Sequence, residues 1–367
     1  MKHQVFFLVA AVVAMTTPGF GQRVVSPEVG PDGKVTFRLK APDASKVEVH
    51  CEGVKESAMQ KDDQGVWSLT SEALEPDIYS YNFTVDGVRA IDPSNPLIKY
   101  NLINISSEAH VRGPKTLAWE MNDVPHGELH RHLYHSEIGG DDRDFIVYTP
   151  PGYDSSSHRR YPVLYLLHGF SDNTIAWTAT GRAHVILDNL IARKEAKPMI
   201  VVMPLGYGKM EVLRNRAAWN DNLTEFRSAL LTEVMPRAEK EYRISEKQAD
   251  HAIAGLSMGG TESLLIGLNE TGKFGWVGSF SEGGLGTDFA SRFPELDKSG
   301  KAPEGLRLLW IGCGEQDGLL KDNQALTGWL EKKEIAHTWV HIPGQHSFRV
   351  WRRDLAQFAP LLFQDKK

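Results

Sequence analysis

Gly255-Leu256-Ser257-Met258-Gly259 stands between the apolar Ala252-Ile253-Ala254 and a helix-like stretch over residues 261–268. An apolar run, a G-x-S-x-G and a helix read together as strand, sharp turn, helix. A serine on such a turn is forced into a strained conformation at the end of its strand. Positions 255 and 259 call for small residues, because strand and helix approach there too closely for a β-carbon, and Gly260 lengthens that contact. The plainer alternative is a glycine-rich turn with an incidental serine. The flanking strand and helix argue for the first reading.

Working outward, Phe145-Ile146-Val147-Tyr148, Val163-Leu164-Tyr165-Leu166-Leu167, Met199-Ile200-Val201-Val202-Met203 and residues 306–311 are continuous apolar runs. Runs without alternation suit strands buried on both faces. Helix-like stretches over 183–192 and 226–242 fall between them, so the expected fold is α/β, a mostly parallel sheet covered by helices. Sites in such sheets form at the carboxyl ends of the strands.

A serine needs a base, and the base needs an acid to orient it. In this strand–turn–helix context the chain order is serine, acid, histidine. The strand over 306–313 is followed by Gly314-Glu315-Gln316-Asp317, which offers Asp317 as the acid with Glu315 as its competitor. Asp317 is preferred because a bent loop after Gly314 must carry the carboxylate sideways. Thr338-Trp339-Val340-His341-Ile342 reads as one more strand, and Pro343-Gly344-Gln345-His346 places His346 on the loop beyond it. His337 and His341 share a strand face with Trp339 and read as packing or surface residues. Two amides are expected to form an oxyanion hole, that of Met258 and that of Phe170 in Leu167-His168-Gly169-Phe170, with His168 bracing the loop.

Residues 23–113 read differently. Pro31-Asp32-Gly33 and Asp86-Gly87 are turns, and Lys34-Val35-Thr36-Phe37-Arg38-Leu39, Lys46-Val47-Glu48-Val49, Val66-Trp67-Ser68-Leu69 and Ile78-Tyr79-Ser80-Tyr81-Asn82-Phe83-Thr84-Val85 alternate with period two. That pattern predicts an all-β sandwich over 22–115. Trp67, Tyr79 and Tyr81 read either as glycan-binding aromatics or as core residues; Tyr79, Tyr81 and Phe83 share one strand face, as core residues do, which favours a structural role. Residues 116–135 read as a polar linker, and 136–367 as the α/β domain. At the front, Lys2, an apolar run over 5–15, a break at Thr16-Thr17-Pro18 and small residues before position 22 read as a signal peptide over 1–21, giving an expected secreted or periplasmic protein with no membrane anchor.

Composition narrows the partners. The chain has 367 residues, 41 Lys+Arg against 47 Asp+Glu and a net charge of −6, with no basic run, which argues against nucleic acid. Two cysteines, Cys51 and Cys313, are too few for a disulfide scaffold, and Cys313 reads as a buried free thiol. His126, His130, His132 and His135 have no cysteine partner and read as surface residues, so no metal and no cofactor is expected. Asp141-Asp142-Arg143-Asp144 reads as a solvated turn. Loops over 177–182, 215–222 and 282–294 are expected to shape the pocket, with Trp177, Glu282 and Trp351 as candidate substrate-binding residues.

Tyr161-Pro162-Val163-Leu164-Tyr165-Leu166-Leu167-His168-Gly169, Lys197-Pro198-Met199-Ile200-Val201-Val202-Met203-Pro204, Gly255-Leu256-Ser257-Met258-Gly259-Gly260 and His346-Ser347-Phe348-x-x-Trp351 resemble the esterase D-like α/β-hydrolases. More narrowly they resemble bacterial feruloyl and acetylxylan esterases of the first carbohydrate esterase family. Ser26-Pro27-Glu28-Val29, the strand from Lys34 and Asp77-Ile78-Tyr79-Ser80-Tyr81 resemble the immunoglobulin-like E-set, glycogen-binding-type module often fused to them. The resemblance implies Ser257 as nucleophile, Asp317 as acid, His346 as base and the amides of Phe170 and Met258 as oxyanion donors. It implies an acylated polysaccharide or oligosaccharide, feruloylated or acetylated xylan, as substrate. A siderophore (enterochelin-type) esterase and an acyltransferase to a sugar acceptor are the alternatives. In Ser281-Glu282-Gly283-Gly284, the acidic Glu282 departs from the small residues common there.

Overall fold

The computed structural model describes residues 24–364. The signal peptide expected over 1–21 lies outside the described residues. The N-terminal part holds β1 (Glu28–Val29), β2 (Val35–Lys40), β3 (Val47–Cys51), β4 (Gln60–Lys61), β5 (Val66–Thr70), β6 (Asp77–Val85), β7 (Val88–Ala90), β8 (Ile98–Lys99) and β9 (Ser106–Val111). They make two antiparallel sheets, ordered β1-β2-β5-β4 and β3-β6-β9-β8, with β7 paired to β6. Alternation points Val35, Phe37 and Leu39 from one sheet at Val47, Val49, Tyr79, Tyr81 and Phe83 from the other, in one shared core. Trp67, Tyr79 and Tyr81 are all buried there.

The remainder is a mixed α/β layer structure. Its strands are β10 (Glu128–Ser136), β11 (Asp141–Thr149), β12 (Val163–Leu167), β13 (Ile200–Pro204), β14 (His251–Leu256), β15 (Trp276–Phe280), β16 (Leu308–Gly314) and β17 (Thr338–Ile342), in the order β10-β11-β13-β12-β14-β15-β16-β17. The β10–β11 and β11–β13 pairs are antiparallel and the rest parallel. Around the sheet lie α1 (Ala176–Ala179), α2 (Ala183–Ala192), α3 (Trp219–Ala229), α4 (Met235–Glu241), α5 (Met258–Asn269), α6 (Phe289–Arg292), α7 (Pro294–Ser299), α8 (Leu320–Lys332) and α9 (Phe348–Phe358). A π-helical turn, Leu230–Val234, joins α3 to α4. Alternate residues of one strand feed two different cores. Leu164 and Leu166 of β12 pack on one side of the sheet, while Val163, Tyr165 and Leu167 pack on the other. That double burial is why these strands lack a polar face.

The expected linker over 116–135 is corrected in two places. Residues 128–135 belong to β10, which pairs with β11 along its full length, from Glu128 opposite Thr149 to Ser136 opposite Asp141. Ahead of it Trp119 is buried in the core beside α2, and Asn189 Nδ2 donates to the carbonyls of Ala118 (2.7 Å) and Glu120 (2.9 Å). An edge strand with exposed residues reads as polar chain, which hid it. Asp141-Asp142-Arg143-Asp144 is the start of β11 and no solvated turn. Arg143 is buried, paired with Asp141, and donates to the carbonyls of Tyr207 and, at 2.8 Å, Gly208.

Cys51 and Cys313 are both free and buried. No described helix is long and apolar enough to cross a membrane.

Candidate active site

β14 delivers Ser257 at its carboxyl end, and α5 begins at the next residue. Ser257 has φ 52° and ψ −115°, a conformation that a residue with a β-carbon adopts only under constraint. The constraint is close packing. A β-carbon on Gly259 would lie 2.5 Å from the carbonyl oxygen of His168, and one on Gly255 would lie 2.4 Å from that of Gly259. The two glycines let strand and helix meet, and the turn between them lifts the serine hydroxyl clear of the sheet.

His346 arrives on the loop after β17. Its Nε2 is 2.9 Å from Ser257 Oγ, and its Nδ1 is 2.8 Å from Asp317 Oδ2. With the Nδ1 hydrogen donated to the carboxylate, Nε2 is left to accept the serine proton, which is the tautomer that proton abstraction requires. Asp317 follows β16, and its side chain is fully shielded from solvent. Burial alone would raise its carboxyl. The hydrogen bond and charge of His346, the Leu319 amide (2.8 Å to Oδ1) and Ser281 together hold it below the ordinary value, so it stays ionised. Glu315, the competitor, lies 3.4 Å from His341 instead. Hydroxyl, imidazole and carboxylate thus converge from three strand ends, separated in sequence by 89 and 29 residues. Such a chain can generate an alkoxide-like nucleophile at neutral pH.

The loop after β12 runs beside this group. A β-carbon on Gly169 would lie 2.6 Å from Leu256 Cδ1 and 3.3 Å from the Ser257 β-carbon, so the loop passes close to the serine here. His168 is buried; its Nδ1 donates to the Gly169 carbonyl at 2.8 Å, and its Nε2 accepts from Gly206 N at 2.9 Å. Both ring nitrogens are used in bracing the loop, and burial lowers the ring's pKa, which keeps it neutral. Phe170 follows. The Met258 amide, at the first position of α5, has no acceptor within the helix.

Ser257 and His346 open onto a cavity of about 690 Å³, lined also by Phe170, Arg216, Trp219 and Leu319, with Asp317 at its wall. The Phe170 and Trp219 rings have centroids 6.1 Å apart, with the Arg216 guanidinium 3.9 Å from the first and 5.2 Å from the second. Trp219 Nε1 donates to the Gly284 carbonyl at 3.1 Å, which fixes the indole as a wall. Arg216 and Trp219 were not singled out individually from sequence, although the loop over 215–222 that carries them was.

The three expected substrate contacts need correction, because all of them point into the protein. Trp177 is 1% exposed and donates from Nε1 to the Leu167 carbonyl at 2.8 Å, bracing the loop from below. Trp351 sets its ring edge-on to His346, 4.9 Å between centroids, and donates to Ser281 Oγ at 3.2 Å. It supports the base and does not line the cavity. Glu282 is buried, accepts from Thr261 Oγ1 (3.1 Å) and Leu285 N (3.3 Å), and burial pushes its carboxyl up to about 7. Its neighbours Gly283 and Gly284 line the cavity in its place. Among the described residues no group of three His, Cys, Asp or Glu side chains could hold a metal ion.

An endo-1,4-beta-xylanase/feruloyl esterase of Xylanibacter ruminicola is 32% identical over 349 residues, covering 92% of this chain and 46% of that protein. The chain spans roughly half the length of the curated relatives it matches, 46–60%. Among solved structures, an enterobactin esterase from Shigella flexneri matches with TM-score 0.69 and 22% identity over 90% of this chain and 93% of that one. A ferulic acid esterase from Anaeromyces mucronatus, in complex with ferulic acid, matches with TM-score 0.58 and 24% identity over 66% and 93%. At those identities both structures speak to the fold. The esterase family model matches residues 136–362, from the end of β10 to the residues beyond α9, and the chain belongs to that family.

Proposed function

We propose that this chain is a secreted or periplasmic serine carboxylesterase with an α/β-hydrolase domain, hydrolysing feruloyl or acetyl esters on plant cell-wall xylan. The observation that carries the reading is the Ser257–His346–Asp317 hydrogen-bonded chain at the edge of an aromatic-walled cavity. His346 Nε2 takes the Ser257 proton as Oγ bonds to the ester carbonyl carbon. The resulting oxyanion sits against the amides of Phe170 and Met258, each donor contributing about 10²–10³-fold in rate. The carbonyl–alkoxy bond then breaks, and the sugar hydroxyl leaves with the proton held by His346. Water repeats the steps, releasing the acid and restoring Ser257. Asp317 stays ionised throughout and stabilises the imidazolium.

The shape of the cavity supports a feruloyl group. Flat rings at Phe170 and Trp219 suit a planar hydroxycinnamoyl group, and the volume lies within the usual range for small-molecule sites. Identity to a xylanase/feruloyl esterase over nearly the whole chain points the same way. Trp219→Ala is expected to lower kcat/KM for methyl ferulate by about 10-fold or more, the equivalent of one aromatic contact, while p-nitrophenyl acetate changes far less. Equal losses on both esters would remove Trp219 from acyl recognition.

A second reading, a siderophore esterase, is favoured by one observation. The enterobactin esterase structure parallels both parts of the chain, whereas the ferulic acid esterase parallels 66% of it. Turnover of a catecholate trilactone with indifference to feruloylated xylan would select that reading. The N-terminal sandwich we read as an E-set module that serves structure, since its aromatic stripe is buried in its own core.

A further inference from the structure

Ser347 directly follows His346 and is the N-cap residue of α9, yet its hydroxyl makes no cap bond. An N-cap serine ordinarily satisfies one of the helix's free amides. Here Ser347 Oγ donates instead to Glu52 Oε1, at 2.8 Å, on the turn that ends β3 of the sandwich, 295 residues earlier. The same carboxylate oxygen accepts from Arg349 Nη1 at 3.3 Å, and the Glu52 side chain is only 12% exposed. A carboxylate placed against the first turn of α9 also meets the positive end of the helix dipole. The base of the reacting pair therefore sits one residue from an anchor that the α/β domain does not own.

The other flank has a matching anchor. Ser171, next to Phe170, has φ +68°, a left-handed conformation that a serine holds only when its surroundings impose it. The surroundings are again the sandwich. Asn101 Nδ2 donates to Ser171 Oγ at 3.0 Å and to Asp172 Oδ1 at 2.9 Å, and the Leu102 amide donates to the Ser171 carbonyl at 2.7 Å. Lys99, two residues before Asn101, lies 5.4 Å from the Phe348 ring on the His346 side. One short sandwich segment thus touches both rims of the site.

We propose that the N-terminal sandwich is a positioning element of the active site, with Glu52 setting the His346 loop through Ser347 and Asn101 setting the Phe170 amide through Ser171. Neither residue touches the reacting atoms. Their effect is on where the base and the oxyanion donor stand, and displacements of about 1 Å there cost up to roughly 10²-fold in rate. The inference rests on Ser257 and His346 being the reacting pair.

The test uses the full chain with p-nitrophenyl acetate, a substrate too small to reach the sandwich. Glu52→Ala and Asn101→Ala are each expected to lower kcat by roughly 10–100-fold, with KM within about 2-fold. Glu52→Gln, whose amide oxygen still accepts from Ser347, should recover most of the loss. Ser347→Ala, which removes only a hydroxyl and leaves Glu52 its Arg349 partner, should lower kcat in the same direction with the thermal midpoint unchanged. The double variant Glu52→Ala/Ser347→Ala should be no slower than Glu52→Ala alone, because both remove one link. Ser257→Ala runs alongside. If it keeps full activity, the reading of the reacting pair fails. If it is inactive while Glu52→Ala and Ser347→Ala keep native kcat, or change KM alone, the positioning role fails and the pair stands.

Discussion

Ser257→Ala is expected to lower kcat for an aryl ester by at least about 10³-fold and toward 10⁶-fold, with KM little changed and thermal stability preserved. Loss of the nucleophile in a serine–histidine–carboxylate group costs about as much as losing the whole group, since what remains is the oxyanion hole and binding. Stability should hold because the hydroxyl's partner is the half-exposed His346, so no buried donor is stranded. The backbone strain at Ser257 stays with alanine, which has the same β-carbon. A variant within 10-fold of the native rate would remove Ser257 from the chemistry.

Asp77→Ala should have the largest effect on stability. Asp77 opens β6 at the junction of the two parts, and its side chain is fully buried. It accepts from Arg352 Nη2 at 2.8 Å, and lies 2.6 Å from Arg353 Nη2 and 3.4 Å from Arg349 Nε, all three on α9. Arg352 is itself fully buried, held also by the carbonyls of Ile78 (2.8 Å) and Thr180 (3.0 Å). Those neutral acceptors do not balance its charge. Removing the carboxylate leaves a buried guanidinium uncompensated, at a cost of about 3–5 kcal/mol. Urea denaturation of the variant should show a midpoint lowered accordingly; a change below about 0.5 kcal/mol would mean that water reaches this junction.

Reading residue by residue, sequence anticipated the convergence of Ser257, Asp317 and His346 better than it anticipated the lining of the pocket. Ser257, Asp317 and His346 were legible because each follows an apolar run, and β12 and β17 have the bounds that their runs predicted. The helix α2 did as well. β10 was not legible, since alternating His, Arg and Glu on an exposed edge look like linker. β15 was missed because glycines at 275 and 278 interrupt its apolar run. The substrate contacts failed for a different reason. Trp177 and Trp351 are large and near the motifs, but whether an indole faces a cavity or a core depends on the packing of neighbouring elements, which no local pattern encodes. Arg216 opens a 3-10 turn and Trp219 begins α3, and the Trp219 indole is held by the Gly284 carbonyl 65 residues away. The linkage of Glu52 to Ser347 spans 295 residues and left no trace in local periodicity.

Mass spectrometry of the intact and digested protein after reaction with a fluorophosphonate tests the central claim most directly. The account predicts one equivalent of label per chain, confined to the peptide carrying Ser257, with esterase activity falling in step and no labelling of Ser257→Ala. Label on another residue, or full ester turnover in protein whose Ser257 is quantitatively blocked, would contradict it.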